Sequence, residues 1–168
     1  MTTPAFRDDL RRLGACSDAR AWVGDQTLDE AWASCASAQW MLWVLTRCDR
    51  RRGVGVTVEI VRATCAHLAP DEVTTDVLDP LAAWAAGDDT IDVRAVRERA
   101  WEIQRGAYTY YAYYAAAAAD ADAADADAAD AADAAAYAAY AYAAAAQADM
   151  IRDLVTVDEV RAMIERTR

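Results

Sequence analysis

Residues 107–148 constrain the fold more than any other part of the sequence. These 42 residues comprise 26 Ala, eight Tyr, six Asp, one Thr and one Gln, with no Gly or Pro. Ala is the strongest helix former because it loses no side-chain entropy when it enters a helix. The stretch is therefore predicted to be helical.

The Asp residues of this stretch mark the face that is predicted to meet water. At about 100° per residue, the six Asp leave a sector of roughly 140° free, which Ala fills together with Tyr110, Tyr113 and Tyr142. A neighbouring helix can approach such a flat face closely, and the tyrosines supply the buried area that Ala lacks. Asp149 falls in the same inner sector, where a carboxylate would need a partner.

One continuous helix over this stretch would be too long for a compact domain of 168 residues. A helix from Ala107 to about Val155 would extend about 70 Å, whereas the expected diameter of the domain is roughly 40 Å. We therefore predict that the helix is broken near Asp120, within residues 118–123, where Asp120 or Asp122 could cap a new first turn.

Amphipathic periodicity and capping signals predict helices along the rest of the chain. Thr27 with Glu30, and Thr156 with Glu159, have the capping-box spacing that opens a helix. The helices are predicted at residues 6–13, 18–23, 27–35, 37–48, 57–68, 77–86, 90–106 and 157–166. Residues 49–53 are predicted to form a loop. The fold class is all-α: one domain, residues 1–168, built as a compact bundle of about eight helices around the long Ala/Tyr-rich helix.

Composition and charge limit the classes of function. The net charge is −11, and residues 107–149 carry seven acids and no base, so a nucleic-acid partner is not expected. No apolar run approaches the length of a membrane span and no secretory leader is visible, so we expect a cytoplasmic protein without a membrane partner. The four Cys have no Cys-x-x-Cys spacing and there is one His, so neither a metal nor a cofactor is predicted.

The sequence shows no catalytic motif, and its candidate binding residues are Trp and Arg. No glycine-rich phosphate loop and no nucleophile motif occurs, so enzymatic activity is not predicted. Trp40 and Trp43 lie three residues apart on one predicted helix, in a chain with six Trp and a single Phe. Two interpretations are open: a core filled by Trp, or a pocket in which the indoles stack on a ligand or dock a partner.

Arginines supply the candidate charged contacts. Arg62 lies within an apolar helix, and an Arg there would need a carboxylate, for which we predict Asp149. The Arg62–Asp149 ion pair is the sharpest structural prediction of the sequence. Arg152 and the Arg50 to Arg52 run are further candidates for binding an anion.

Several motifs resemble those of a known family. They include Leu28-x-x-Ala31-Trp32-x-x-Cys35, Gln39-Trp40-Met41-Leu42-Trp43, the Ala/Tyr-rich helix and Gln147-Ala148-Asp149-Met150-Ile151-Arg152. In these features the chain resembles the all-α fifth type of immunity proteins that is associated with bacterial polymorphic toxin systems and is also carried by phages. The resemblance implies a non-enzymatic inhibitor that binds a toxin or an immune effector protein.

Two functions follow as expectations. In the first, the chain neutralises a toxin or immune effector protein by binding it, with the acidic helix facing a basic surface. In the second, it is a phage counter-defence protein that sequesters a small nucleotide signal: the Trp residues stack on the base, and Arg62, Arg152 or the Arg50 to Arg52 run hold the phosphates. A homo-oligomer is compatible with either.

Overall fold

A computed structural model describes residues 6–65, 73–107 and 144–168 of the chain. These residues form nine α-helices and one π-helical turn, without a strand among them, which confirms the all-α prediction. The helices are α1 (Phe6–Leu13), α2 (Ser17–Val23), α3 (Leu28–Ser34), α4 (Ala38–Cys48), α5 (Arg50–Cys65), α6 (Asp79–Ala85, after the π-helical turn Thr74–Leu78), α7 (Val93–Ala107), α8 (Ala144–Leu154) and α9 (Val157–Arg166). The predicted long Ala/Tyr-rich helix, between residues 108 and 143, and its predicted break near Asp120 lie outside the described residues.

Local capping signals begin the helices where the sequence predicts. Both capping boxes are present: the hydroxyl of Thr27 accepts from the Glu30 backbone N–H at 3.3 Å, and the Glu30 carboxylate accepts from the Thr27 N–H at 2.8 Å. The same exchange joins Thr156 and Glu159 at the start of α9. The N–H donated by Thr156 lowers the pKa of Glu159, because it stabilises the ionised carboxylate.

Helix α5 begins earlier than predicted. Residues 49–53 are not a loop, since α5 already starts at Arg50. The Asp49 carboxylate accepts a hydrogen bond from the Arg52 N–H at 3.1 Å, which caps the first turn. Gly53 lies inside the helix at a position where any Cβ would clash. A Cβ there would lie 2.6 Å from the Cα of Thr46 on α4. The glycine therefore permits a close crossing of α4 and α5 rather than marking a turn.

Helix α5 separates two hydrophobic clusters. Val56 and Ile60 pack into a cluster built mainly from α1–α4, α8 and α9. Val54, Val58 and Val61 pack into a second cluster with the π-helical turn, α6 and α7. Burial on both sides explains why a Val-rich segment is helical despite its β propensity, because packing outweighs local preference. In α7 the apolar residues at helical spacing are buried: Val93, Val96, Ala100 and Ile103.

Arginines from other helices bind the carbonyl groups at the carboxyl ends of four helices. These carbonyls have no partner within their own helix, so a charged donor is favourable there. The pairs are Arg47 Nε with Leu13 of α1 (2.9 Å), Arg152 Nη1 with Trp32 (3.1 Å) and Cys35 (2.9 Å) of α3, Arg52 with Leu154 of α8, and Arg12 Nη1 with Thr167 after α9 (2.8 Å).

A buried carboxylate connects α1 to the residues after α9. Asp9 is 6% exposed. Arg168 donates to both of its oxygens, at 3.1 and 2.8 Å, and Arg12 donates to one at 3.3 Å. These ion pairs offset part of the desolvation cost of burying the carboxylate.

None of the helices in the described ranges has the length and apolarity that a membrane crossing requires.

The crossing of α4 and α5 can be tested with Gly53→Ala. The new methyl group would meet the Thr46 backbone, so we expect the free energy of unfolding to fall by about 1–3 kcal/mol in a denaturant titration. Gly55→Ala is the matched control, because its Cβ would meet only the Ala85 methyl at 3.3 Å. Equal stability changes in the two variants would contradict the close crossing.

Candidate functional site

The candidate site is a cavity of about 470 Å³ between helices α1 to α4. This volume lies within the range of small-molecule pockets. Gly14, at φ 90°, turns the chain between α1 and α2 and also lines the cavity. The lining residues are Phe6, Leu10, Leu13, Gly14, Ala15, Cys16, Ala19, Trp22, Val23, Ala31, Trp32, Cys35, Gln39, Trp40, Met41, Trp43, Val44 and Arg47.

Four of the six tryptophans line this cavity. Trp40 and Trp43 project from α4, and they are joined by Trp22 of α2 and Trp32 of α3. The rings of Trp22 and Trp40 are 5.7 Å apart at their centroids and tilted by 54°. Trp22 is 37% exposed, whereas Trp32 is 6% exposed. The cavity therefore extends from an accessible indole to a buried one, while Trp32 also belongs to the hydrophobic core and Trp40 and Trp43 pack against it.

The buried indole of Trp32 has an unsatisfied donor. Its Nε1 is buried and has no hydrogen-bond partner in the part of the chain that the structure describes. A buried N–H without a partner costs about 1–3 kcal/mol. The ring of Trp32 lines the cavity, but its Nε1 atom is closed off from it, so an occupant of the cavity does not supply the missing partner.

Arg47 is the only formally charged residue among the described lining residues. Its Nε donates to the carbonyl of Leu13, the last residue of α1, and this bond fixes the guanidinium beside the cavity. Since the acceptor is a neutral carbonyl, the positive charge of Arg47 is not compensated by this contact.

The predicted site residue Arg152 supports the cavity wall from outside. It donates to the carbonyls of Trp32 and Cys35 and pairs with Asp149 at 2.7 Å. Arg152 therefore positions α3, and with it the Trp32 indole, without lining the cavity itself.

The predicted Arg62–Asp149 ion pair is wrong. Arg62 pairs with Asp79 of α6, and Asp149 pairs with Arg152. The Asp149 side chain is 72% exposed, because Ala148 and Ile151 are the residues that α8 turns inward. The prediction failed because the helical phase was extended over about 30 residues from Asp120, and small errors in the angle per residue accumulate over that length.

The Arg50 to Arg52 run lies within α5 and outside the cavity lining. Arg51 lies over the Trp84 ring at 4.9 Å and pairs with Asp89. Arg52 binds the Leu154 carbonyl and pairs with Glu159 at 3.4 Å. These arginines connect α5 to α6 and to α8 and α9, so their contacts are structural.

Sequence reasoning missed three residues of the site: Trp22, Trp32 and Arg47. The sequence places Trp22 and Trp32 among the six tryptophans but does not assign them to a pocket. The sequence of a short helix does not indicate which other helices it packs against. The spacing of Arg47, four residues after Trp43, is the signal that could have placed it on the same face of α4.

The cavity also includes two thiols in different environments. Cys16 is exposed and Cys35 is buried, while Cys48 lies half-buried elsewhere on α4. Burial raises the pKa of the Cys35 thiol, and it raises that of Cys48 to about 11. No cluster that could hold a metal ion occurs in residues 6–65, 73–107 and 144–168.

Thiol labelling tests this burial. With iodoacetamide at pH 8, we expect Cys16 to be modified at least about tenfold faster than Cys48, because the thiolate is the reacting form. Peptide mapping by mass spectrometry at successive times measures each rate in the native chain. A guanidinium-unfolded sample, in which the two rates should converge, is the control. Equal rates in the native protein would contradict the burial of Cys48.

The role of Arg152 can be tested by Arg152→Ala. Loss of two hydrogen bonds from a charged donor should lower the free energy of unfolding by about 1.5–3 kcal/mol. Asp149→Ala removes only the exposed ion pair and should cost about 0–1 kcal/mol. Denaturant titrations of both variants compare these values, and a larger loss in Asp149→Ala would refute the assignment.

Comparison of the chain with protein families, curated proteins and solved structures finds no match in any of the three. The functional expectations that come from the family resemblance therefore remain proposals.

Proposed function

We propose that this chain is a non-enzymatic binding protein that captures a small ligand with a flat aromatic ring in the cavity between α1 and α4. This proposal rests on a cavity of about 470 Å³ that four tryptophans line, Trp22, Trp32, Trp40 and Trp43. Of the two functions expected from sequence, this is the class of the second, the sequestration of a small signal.

The lining chemistry supports stacking on a ring. Indoles combine a large flat apolar surface with one donor, and aromatic pairs gain about 0.5–1.5 kcal/mol beyond the burial of their area. Leu10, Leu13 and Val44 supply apolar contacts between the rings. A planar ligand could thus bury both of its faces against these side chains.

The phosphate contacts expected for a nucleotide have less support. Arg62, Arg152 and the Arg51–Arg52 pair bind carboxylates and carbonyls of the protein and do not line the cavity. Arg47 is the cation that the described lining offers. Capture of a ring-bearing ligand is therefore better supported than capture of a ligand with several phosphates.

A protein partner is the second candidate function. Residues 107–149 carry seven acids and no base, which would complement a basic surface. Together with the resemblance to immunity proteins, this charge favours the neutralisation of a toxin or an immune effector protein. Binding of such a partner should weaken steeply with added salt, whereas stacking in the cavity should not.

The capture proposal can be tested with 1-naphthylacetamide, a neutral two-ring probe. We expect isothermal titration calorimetry to show binding with a Kd of about 1 mM or tighter, given roughly 0.3 kcal/mol per ligand atom. Trp43→Ala should weaken binding at least about tenfold by removing one stacking wall.

Trp101→Ala is the matched control, since Trp101 is an exposed tryptophan of α7 outside the cavity lining. It should leave the affinity unchanged. Thermal unfolding of both variants confirms that each is folded. Equal losses in the two variants, or no binding to the unaltered protein, would overturn the proposal.

A further inference from the structure

We propose that the ligand of this cavity is an aromatic acid: its ring lies among the tryptophans, and its anionic group meets Arg47. This inference rests on the proposed capture function and adds the charge of the ligand. It comes from the hydrogen-bonding character of the lining side chains and from the contacts of Arg47.

The polar nitrogen groups of the tryptophans and Arg47 are all donors. An indole carries one N–H and no acceptor, and a guanidinium carries five N–H groups and no acceptor. Trp22, Trp40 and Trp43 line the cavity together with Arg47, which brings the charged donors, whereas the Nε1 of Trp32 is closed off from it. The complementary ligand is rich in acceptors, which favours carboxylates and other oxyanions over amines.

The partner of Arg47 is a backbone carbonyl. Arg152, which holds the cavity wall from outside, pairs instead with the carboxylate of Asp149. Arg47, in contrast, makes its hydrogen bond to the Leu13 carbonyl and has no carboxylate partner among the described residues. That bond uses Nε, so the guanidinium is oriented while its charge stays available. An anion at this place would form a charge-assisted hydrogen bond, which is stronger than one between neutral groups.

The charge of the site is opposite to the charge of the protein. The chain has a net charge of −11, yet the described lining has a single charge, and it is positive. A cavity lined by aromatic rings binds cations when no positive charge lies beside it. Here the Arg47 charge disfavours an ammonium group, so the cavity selects the anionic member among ligands with the same ring.

The volume limits the size of the acid. A cavity of about 470 Å³ falls in the lower part of the range for drug-sized ligands. It suits one fused ring system with one short acidic side chain. The chemical class is therefore an aromatic monoacid.

Three probes with the same naphthalene ring system and different charges test the inference. They are 1-naphthylacetate, 1-naphthylacetamide and 2-(1-naphthyl)ethylamine, titrated by calorimetry into the full chain at pH 7.5. We expect the acetate to bind at least about tenfold tighter than the amide, and the amine to bind weakest. Arg47→Gln should remove the preference for the acetate over the amide.

Two further measurements separate a charge effect from damage to the fold. Arg47→Lys retains the charge and should keep part of the preference for the acetate, although its ammonium cannot reproduce the geometry of the guanidinium. In the unaltered protein, raising the salt concentration should weaken the binding of the acetate more than the binding of the amide.

The outcomes distinguish this inference from the proposal beneath it. If all three probes bind equally, or if Arg47→Gln keeps the preference for the acetate, the assignment of an acid is overturned while ligand capture stands. If the amine binds tightest, the cavity is a cation box and the inference is again overturned. If none of the three binds, the capture proposal itself fails.

Discussion

The close crossing of α4 and α5 is the contact on which the rest of the structure depends. Because Gly53 has no Cβ, the α5 backbone approaches the backbone of Thr46 more closely than it could with any other residue at this position. Thr46 faces α5, and another face of α4 carries Trp40, Trp43 and Arg47 towards α1, α2 and α3. The same crossing places α5 between the two hydrophobic clusters. One glycine contact thus orients the wall of the cavity and joins both halves of the apolar interior.

Arginine side chains make several of the polar contacts between helices. All 17 basic residues are Arg, and four of them donate to carbonyls at the ends of helices other than their own. Each such bond satisfies a group that the helix itself leaves unpaired, and each also fixes one helix against another. Arg47 is exceptional because its bond also orients a charge at the cavity. The candidate site therefore uses an interaction that the fold already employs elsewhere.

Local signals made the helices predictable, whereas tertiary contacts decided the site. The two capping boxes and the inward stripe of α7 follow from spacing alone, because their partners are three or four residues away. The loop prediction for residues 49–53 failed because Thr46, the residue whose backbone requires a glycine at position 53, lies on another helix. The same limit explains the Arg62–Asp149 error, because nothing in the sequence reveals that Asp79 is nearer. Trp40 and Trp43 were recognised as a pair, yet the contribution of Trp22 and Trp32 depends on the packing of α2 and α3.

The carboxylate of Asp9 has a consequence for the order of assembly. It connects α1, which supplies Phe6, Leu10 and Leu13 to the cavity, with Arg168, which is 159 positions away along the chain. During synthesis this contact becomes available only after α9 has left the ribosome, and contacts of such long separation form late because their loop-closure entropy is large. Helix α1 is therefore held by a contact that forms only once the residues after α9 are available, and the cavity that α1 lines is completed with that contact.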